Sequence, residues 1–243
     1  MGAEVKLARL PGSGACLVYA VLGLEEEPLA VLKVASRWRE RRAYRVNILK
    51  RNFRYLEPAQ RFAREHEILE TLAPHDLSPK PLAATEHYFL QAYVEGPLVA
   101  ELLRRQDPRG KYWWFEALKA LRAIHAWGIA HGDARPTNAI VAEGGVKFFD
   151  FEHCLDTETV SWEQQQAFDV LRYFANTFHE GFVTDANFVD DAVEFVYQEL
   201  PEVVRQELPT SMKSFGFEPT PFLCRLCDGA STGQADLLSD LRG

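Results

Sequence analysis

The apolar positions of this chain change period about a third of the way along. Ala15 to Leu24 and Leu29 to Ala35 are continuous apolar, β-rich runs on either side of the turn-like Glu25-Glu-Glu-Pro28. That pattern predicts two paired strands, and Tyr88 to Val94 predicts another. Between them, Glu57 to Leu72 takes helical spacing. Pro58 suits the first helical position, and Phe62, Glu65 or His66, Leu69 and Leu72 share a face. Pro74, Ser78, Pro79 and Pro81 then mark turns. From residue 97 onward helices dominate. Lys111 to Trp127 carries Leu118, Leu121 and Ile124 on one side, with Gly128 as a C-terminal stop. Ser161 opens another helix, with Gln164 placed to complete a capping box. A further helix runs from Asp185 or Ala186 to Leu200 and stops at Pro201. The expected fold class is α+β: a strand-rich lobe over residues 1–93 and a helical lobe over 94–243.

The stretch richest in chemistry is Ile129-Ala-His-Gly-Asp-Ala-Arg-Pro-Thr-Asn-Ala-Ile-Val141, followed by Val146-Lys-Phe-Phe-Asp-Phe-Glu152. Asp133 and Asn138 lie five positions apart on one loop, and Asp150 ends the second of two short apolar strands joined at Gly144-Gly145. Two oxygen ligands and one separate carboxylate thus converge: Mg²⁺ prefers a few hard oxygens plus substrate phosphates, and a carboxylate beside it can take a hydroxyl proton.

This arrangement resembles the catalytic loop and metal-binding Asp of the protein-kinase-like superfamily. Upstream, Gly12-Ser-Gly-Ala-Cys-Leu-Val18 looks like a Gly-rich loop, with Leu17 where a third Gly is usual. Val31-Leu-Lys-Val34 looks like the strand bearing the phosphate-binding Lys, here Lys33, and Glu65-His-Glu-Ile-Leu69 like the helix whose Glu65 pairs with it. Leu90-Gln-Ala-Tyr-Val-Glu-Gly96 looks like the inter-lobe hinge, which would hold adenine through the backbone of Ala92 and Val94. The resemblance covers about residues 10–175 and implies a two-lobed kinase-like fold, ATP and Mg²⁺ as cofactors, and transfer of the γ-phosphate to a hydroxyl. In it, Gly12, Gly14, Lys33, Glu65, Ala92 and Val94 bind nucleotide, and Asn138 and Asp150 bind metal. Asp133 positions the acceptor hydroxyl and takes its proton late in transfer. Arg135 either stabilises the transferred phosphoryl or forms a structural salt bridge. His131 braces the loop, Asp169 hydrogen-bonds its backbone, and Glu152 is either a group near the metal or a solvated side chain.

The departures narrow the branch. Glu152 stands where Asp-Phe-Gly is usual, Gly132 replaces an Arg, and no Ala-Pro-Glu follows. Only 19 positions separate Asp150 from Asp169, too few for a long activation segment. These features look like the small kinase-like branches: aminoglycoside and choline phosphotransferases, RIO-type kinases and lipopolysaccharide Kdo/heptose kinases. The Arg-rich segment before the Glu65 helix looks most like the last of these.

Charge adds an acceptor class. The chain has 243 residues and a formal net charge of −8, with 26% charged and 47% hydrophobic residues, which excludes disordered, collagenous and disulfide-scaffold classes. The charge is uneven. Between Val34 and Arg64 ten basic residues face two acidic ones: Arg37, Arg39, Arg41, Arg42, Arg45, Lys50, Arg51, Arg54, Arg61 and Arg64 against Glu40 and Glu57. That segment is +8 and the remainder −16. It suits phosphates, anionic lipid headgroups or nucleic acid, or it is simply a solvated basic face. The expected acceptor is an anionic sugar or a lipid-linked saccharide such as lipopolysaccharide core. A nucleic-acid partner is not expected. The alternatives are an atypical Ser/Thr protein kinase and a nucleotide-binding scaffold without turnover. Cys16, Cys154, Cys224 and Cys227 lack zinc-site spacing and are expected as free thiols. With no signal pattern and no run long enough to span a bilayer, a cytoplasmic location is expected, with the basic segment able to touch an anionic membrane face.

Overall fold

A computed structural model describes residues 5–10, 16–36, 52–179 and 186–232. The N-terminal part is a five-stranded antiparallel sheet of order β1-β2-β3-β6-β5. Its strands are β1 (Lys6–Arg9), β2 (Cys16–Leu22), β3 (Pro28–Ala35), β5 (Pro81–Ala84) and β6 (Tyr88–Ala92). Lys33 lies in the central strand β3, opposite Val18 on one side and Phe89 on the other. Helix α1 (Pro58–Leu72) packs against β5 and β6, burying Phe62, Glu65, Ile68, Leu69 and Leu72. Pro58 opens it, and Gln60 Oε1 accepts the Glu57 N–H at 3.1 Å. Stacking of Phe62 on Phe89, 6.4 Å between centroids, ties the helix to the sheet.

The chain then crosses into the helical part. Gly96, at φ +147°, makes this crossing possible: a Cβ there would lie 1.8 Å from the Val141 carbonyl oxygen. Helices α2 (Val99–Arg104) and α3 (Gly110–Ala126) lead to a 3-10 turn (Pro136–Asn138) and the hairpin β7 (Ala139–Ala142) and β8 (Gly145–Phe148). Helices α4 (Trp162–His179), α5 (Ala186–Glu199), α6 (Glu202–Ser214) and α7 (Pro221–Thr232) follow among the described residues. Ser161 and Gln164 cap α4 reciprocally, each bond 3.2 Å. The core centres on Trp114, fully buried among Tyr173, Phe174, Phe178 and Phe188, its indole N–H donating to Thr177 at 2.8 Å. Tyr112, two residues earlier, is exposed.

This is the α+β, two-part kinase-like architecture the sequence predicts, with α4 starting only twelve residues after Asp150. Helices α6 and α7 carry no motif, and Pro209 inside α6 argues against a helix by sequence alone. One pairing has no counterpart in the predicted elements. The strand β4 (Phe53–Arg54), at the exit of the basic segment, pairs antiparallel with β9 (Cys154–Leu155), just past Asp150 and Glu152. Phe53 meets Phe168, His153 and Phe215 edge-on, 5.4–6.4 Å between centroids. Phe53 and Arg54 are thereby anchored on the helical part. The four cysteines are free, and no described helix is long and apolar enough to cross a membrane.

Candidate active site

Lys33 is the hub. Its Nζ bonds Glu65 Oε1 and Oε2 at 2.7 and 3.0 Å and Asp150 Oδ1 at 2.5 Å, and lies 3.6 Å from Glu152. Burial works against a charged amine, but Asp150, Glu65 and Glu152 outweigh it and hold the Lys33 pKa well above its ordinary value. Burial pushes Glu65 up to about 7 although Lys33 opposes the shift, because Asp150 and Glu152 add to it. Asp150 is lowered: burial opposes this, and the Lys33 charge and hydrogen bond prevail. Burial also raises the Cys16 thiol nearby, which keeps it protonated and inert.

Glu152 is not a solvated side chain. It is only 14% exposed and lies 3.5 Å from Arg61 of α1. Arg64, one turn on, donates to the Phe151 carbonyl at 2.8 Å. Two arginines therefore fasten the Glu65 helix to the loop that carries Asp150.

The second cluster surrounds Asp133. Its Oδ1 accepts from Arg135 Nε at 2.7 Å and from Arg172 Nε at 2.9 Å, and His153 Nε2 stands 4.0 Å from Oδ2. Arg135 therefore forms a salt bridge here. Behind the loop, the buried Asp169 accepts from the amides of His131 (2.7 Å) and Gly132 (2.8 Å) and from His125 Nε2 (3.0 Å). Gly132 has φ +78°, and a Cβ there would meet the His153 carbonyl oxygen at 2.7 Å. Hence no side chain replaces it without moving the loop. Asn138 Nδ2 donates to the Asp133 carbonyl at 3.0 Å, which leaves its Oδ1 for a cation. Phe149 N–H donates to the Asn138 carbonyl at 3.2 Å and holds Asn138 next to Asp150.

His131 is fully buried. Its Nδ1 accepts the Asp133 N–H at 3.3 Å, and Nε2 bonds the Phe149 carbonyl at 3.0 Å. That pairing requires the neutral tautomer with the proton on Nε2. Burial, only partly offset by the nearby carboxylates, lowers its pKa from 6.5 in agreement. A depressed His pKa means the unfolded chain binds the extra proton first. The stabilisation is complete above pH 6.5 and is lost as pH falls below it. We expect wild type to lose stability relative to His131→Asn as pH drops from about 7 to about 5. Paired denaturant melts that give a pH-independent difference would contradict this.

At the hinge, the Ala92 N–H is taken by the Lys80 carbonyl at 2.8 Å and that of Tyr93 by Leu29 at 3.1 Å. The Val94 amide has no partner among the described residues. Gly12 and Gly14 lie outside the described residues, as do Arg37, Arg39, Arg41, Arg42, Arg45, Lys50 and Arg51. Arg54 is described and exposed on β4. Sequence reasoning does not single out Arg172. The signal was present: it follows Asp169 by three on one helix, so both face the same loop.

The carboxylates of Glu65, Asp150 and Glu152 lie within 4.8 Å of one another. Lys33 and Arg61 sit against this set and offset most of its charge, Glu65 itself being partly protonated near pH 7. Asp150, with a 36% exposed side chain, is the member open to the cleft, whereas Glu65 is sealed in. Asp150 is thus the carboxylate of this set that a divalent cation such as Mg²⁺ could reach from the cleft.

Comparison with known proteins agrees with this geometry. The serine/threonine-protein kinases AfsK of Streptomyces coelicolor and of Streptomyces griseus are 29% and 28% identical to this chain over 155 residues. The match spans 60% of this chain but only 17% of either relative. The sequence profile of the RIO domain matches residues 27–189, a span that includes Lys33, Glu65, Asp133, Asn138, Asp150 and Asp169. Of the kinase-like branches that the sequence resembles, the one matched is thus the RIO branch, and the chain belongs to the RIO-domain family, an atypical protein-kinase-like group that uses ATP and Mg²⁺.

Proposed function

We propose that this chain is an ATP- and Mg²⁺-dependent phosphotransferase that moves the γ-phosphate to a hydroxyl. The observation that carries the reading is the assembled set Glu65–Lys33–Asp150, with Asp133 and Asn138 on the adjoining loop. Lys33 is the cation for the nucleotide phosphates, oriented by Glu65. Asp150 and Asn138 hold Mg²⁺, which supplies charge neutralisation on the phosphates. Asp133 Oδ1 is fixed by two arginines, which leaves Oδ2 to orient the acceptor hydroxyl and take its proton. Arg135 lies where developing phosphoryl charge needs a partner. Positioning and electrostatics of this kind suffice because phosphoryl transfer passes through a loose transition state.

The acceptor we favour is an anionic sugar or lipid-linked saccharide, lipopolysaccharide core among the candidates. The support is the +8 segment, whose exit strand β4 is pinned to β9 beside the site. A second reading, transfer to a protein Ser or Thr, has the AfsK similarity in its favour. Labelled ATP with a panel of phosphorylated saccharides and lipid A–core acceptors, run beside the protein alone, separates them. Label on saccharide, lost in Asp133→Ala, supports the first. Label on protein only, lost in the same variant, replaces it with the second. No label anywhere despite tight ATP binding leaves a nucleotide-binding scaffold.

A further inference from the structure

Two guanidiniums meet one carboxylate at Asp133, and both do so through Nε. The Nη groups of Arg135 and Arg172 make no hydrogen bond to described residues, and the two side chains are 32% and 22% exposed. Arginine has five N–H donors in a rigid fork, so each keeps four donors with no partner among the described residues, next to the catalytic carboxylate. This end of the cleft is positive: two arginines against Asp133, with the His153 ring beside Oδ2. The Lys33 end is negative, with Glu65, Asp150 and Glu152 against Lys33 and Arg61. One end thus suits a metal-borne nucleotide and the other an anion. A carboxylate that needed only fixing could be fixed by one arginine. The second, Arg172, rises from α4 rather than from the catalytic loop, one turn beyond the Phe168 that receives Phe53 of β4. It therefore stands between Asp133 and the anchored end of the basic segment.

We propose that Arg172 is an acceptor-binding residue, and that the acceptor is a hydroxyl compound carrying a phosphate or carboxylate next to the hydroxyl that is phosphorylated. The Nη fork of Arg172 takes that anion in bidentate fashion while Asp133 Oδ2 takes the hydroxyl. The proposal rests on the phosphotransferase reading, and the test separates the two.

Inorganic phosphate is titrated into the full chain with Mg²⁺ and the non-hydrolysable analogue AMP-PNP present, so that the γ-phosphate position is filled, and binding is read by calorimetry. We expect one saturable phosphate site in wild type, weakened about tenfold or more in Arg172→Gln, with AMP-PNP affinity unchanged within about twofold. Where Arg172→Gln does not fold, Arg172→Lys keeps the charge but not the fork, and a weakening of about threefold or more is expected. Labelled transfer to glycerol 3-phosphate against glycerol gives a second readout. Wild type prefers the anionic partner, and Arg172→Gln loses the preference. A residue that merely holds Asp133 would lower both rates and leave their ratio unchanged. Absence of a saturable phosphate site in AMP-PNP-loaded wild type, an unchanged affinity in the variants, or an unchanged ratio overturns the proposal. Failure of wild type to bind AMP-PNP at all overturns the phosphotransferase reading instead.

Discussion

Asp133→Asn lowers phosphotransfer on the order of a thousandfold and leaves nucleotide affinity within a few-fold of wild type. The asparagine keeps the shape of the side chain and one carbonyl-type acceptor, so Arg135 and Arg172 retain a partner for Nε. What it loses is the charge and the ability to take a proton, and general-base removal costs about 10²–10⁴-fold. Nucleotide affinity is spared because Lys33, Glu65 and Asp150 form a separate cluster with its own bonds. Single-turnover kinetics with labelled ATP, alongside a nucleotide titration, check both halves. A variant with wild-type transfer would remove Asp133 from the chemistry, and one that loses nucleotide as well would mean the two clusters are not independent.

Asp169→Ala carries the largest expected stability cost. The fully buried carboxylate satisfies the amides of His131 and Gly132 and the His125 ring. Alanine leaves two buried backbone donors without a partner, at about 1–3 kcal/mol each, and leaves an imidazole facing a void. We expect a loss of about 3–5 kcal/mol and a Tm lower by roughly 10 °C. Activity falls too, because those two amides precede Asp133 and set its position. Asp169→Asn, with one acceptor oxygen in place of two, falls between. Thermal melts of the three proteins give the ranking, and equal melting temperatures would show that the loop is held by something else.

Much of this site is legible in the sequence because its parts are local. Lys33 sits on a short apolar strand, Glu65 on an amphipathic helix opened by Pro58, and Asp133, Asn138 and Asp150 on one loop and hairpin. Each spacing is meaningful within a single element. What escapes reading is non-local. Glu152 looks like a surface acid until α1 brings Arg61 to it. Phe53 and Arg54 form a strand of only two residues, too short for any alternation to register, and its partner lies about a hundred residues on. Arg172 shares a helix face with Asp169, but nothing in the helix itself says that the face meets a carboxylate on another loop. The choice among kinase-like branches also lay beyond motif reading.

The most direct test of the phosphotransferase assignment is Mg²⁺-dependent ATP turnover by the purified chain, measured for wild type and for Asp150→Ala. Asp150 both bonds Lys33 at 2.5 Å and is the carboxylate open to the cleft, so in the proposed reading it links Lys33 to the metal. We predict turnover in wild type that requires Mg²⁺, and a fall of at least about a hundredfold in Asp150→Ala. Turnover that is absent in wild type, or equal in the two proteins, would contradict it.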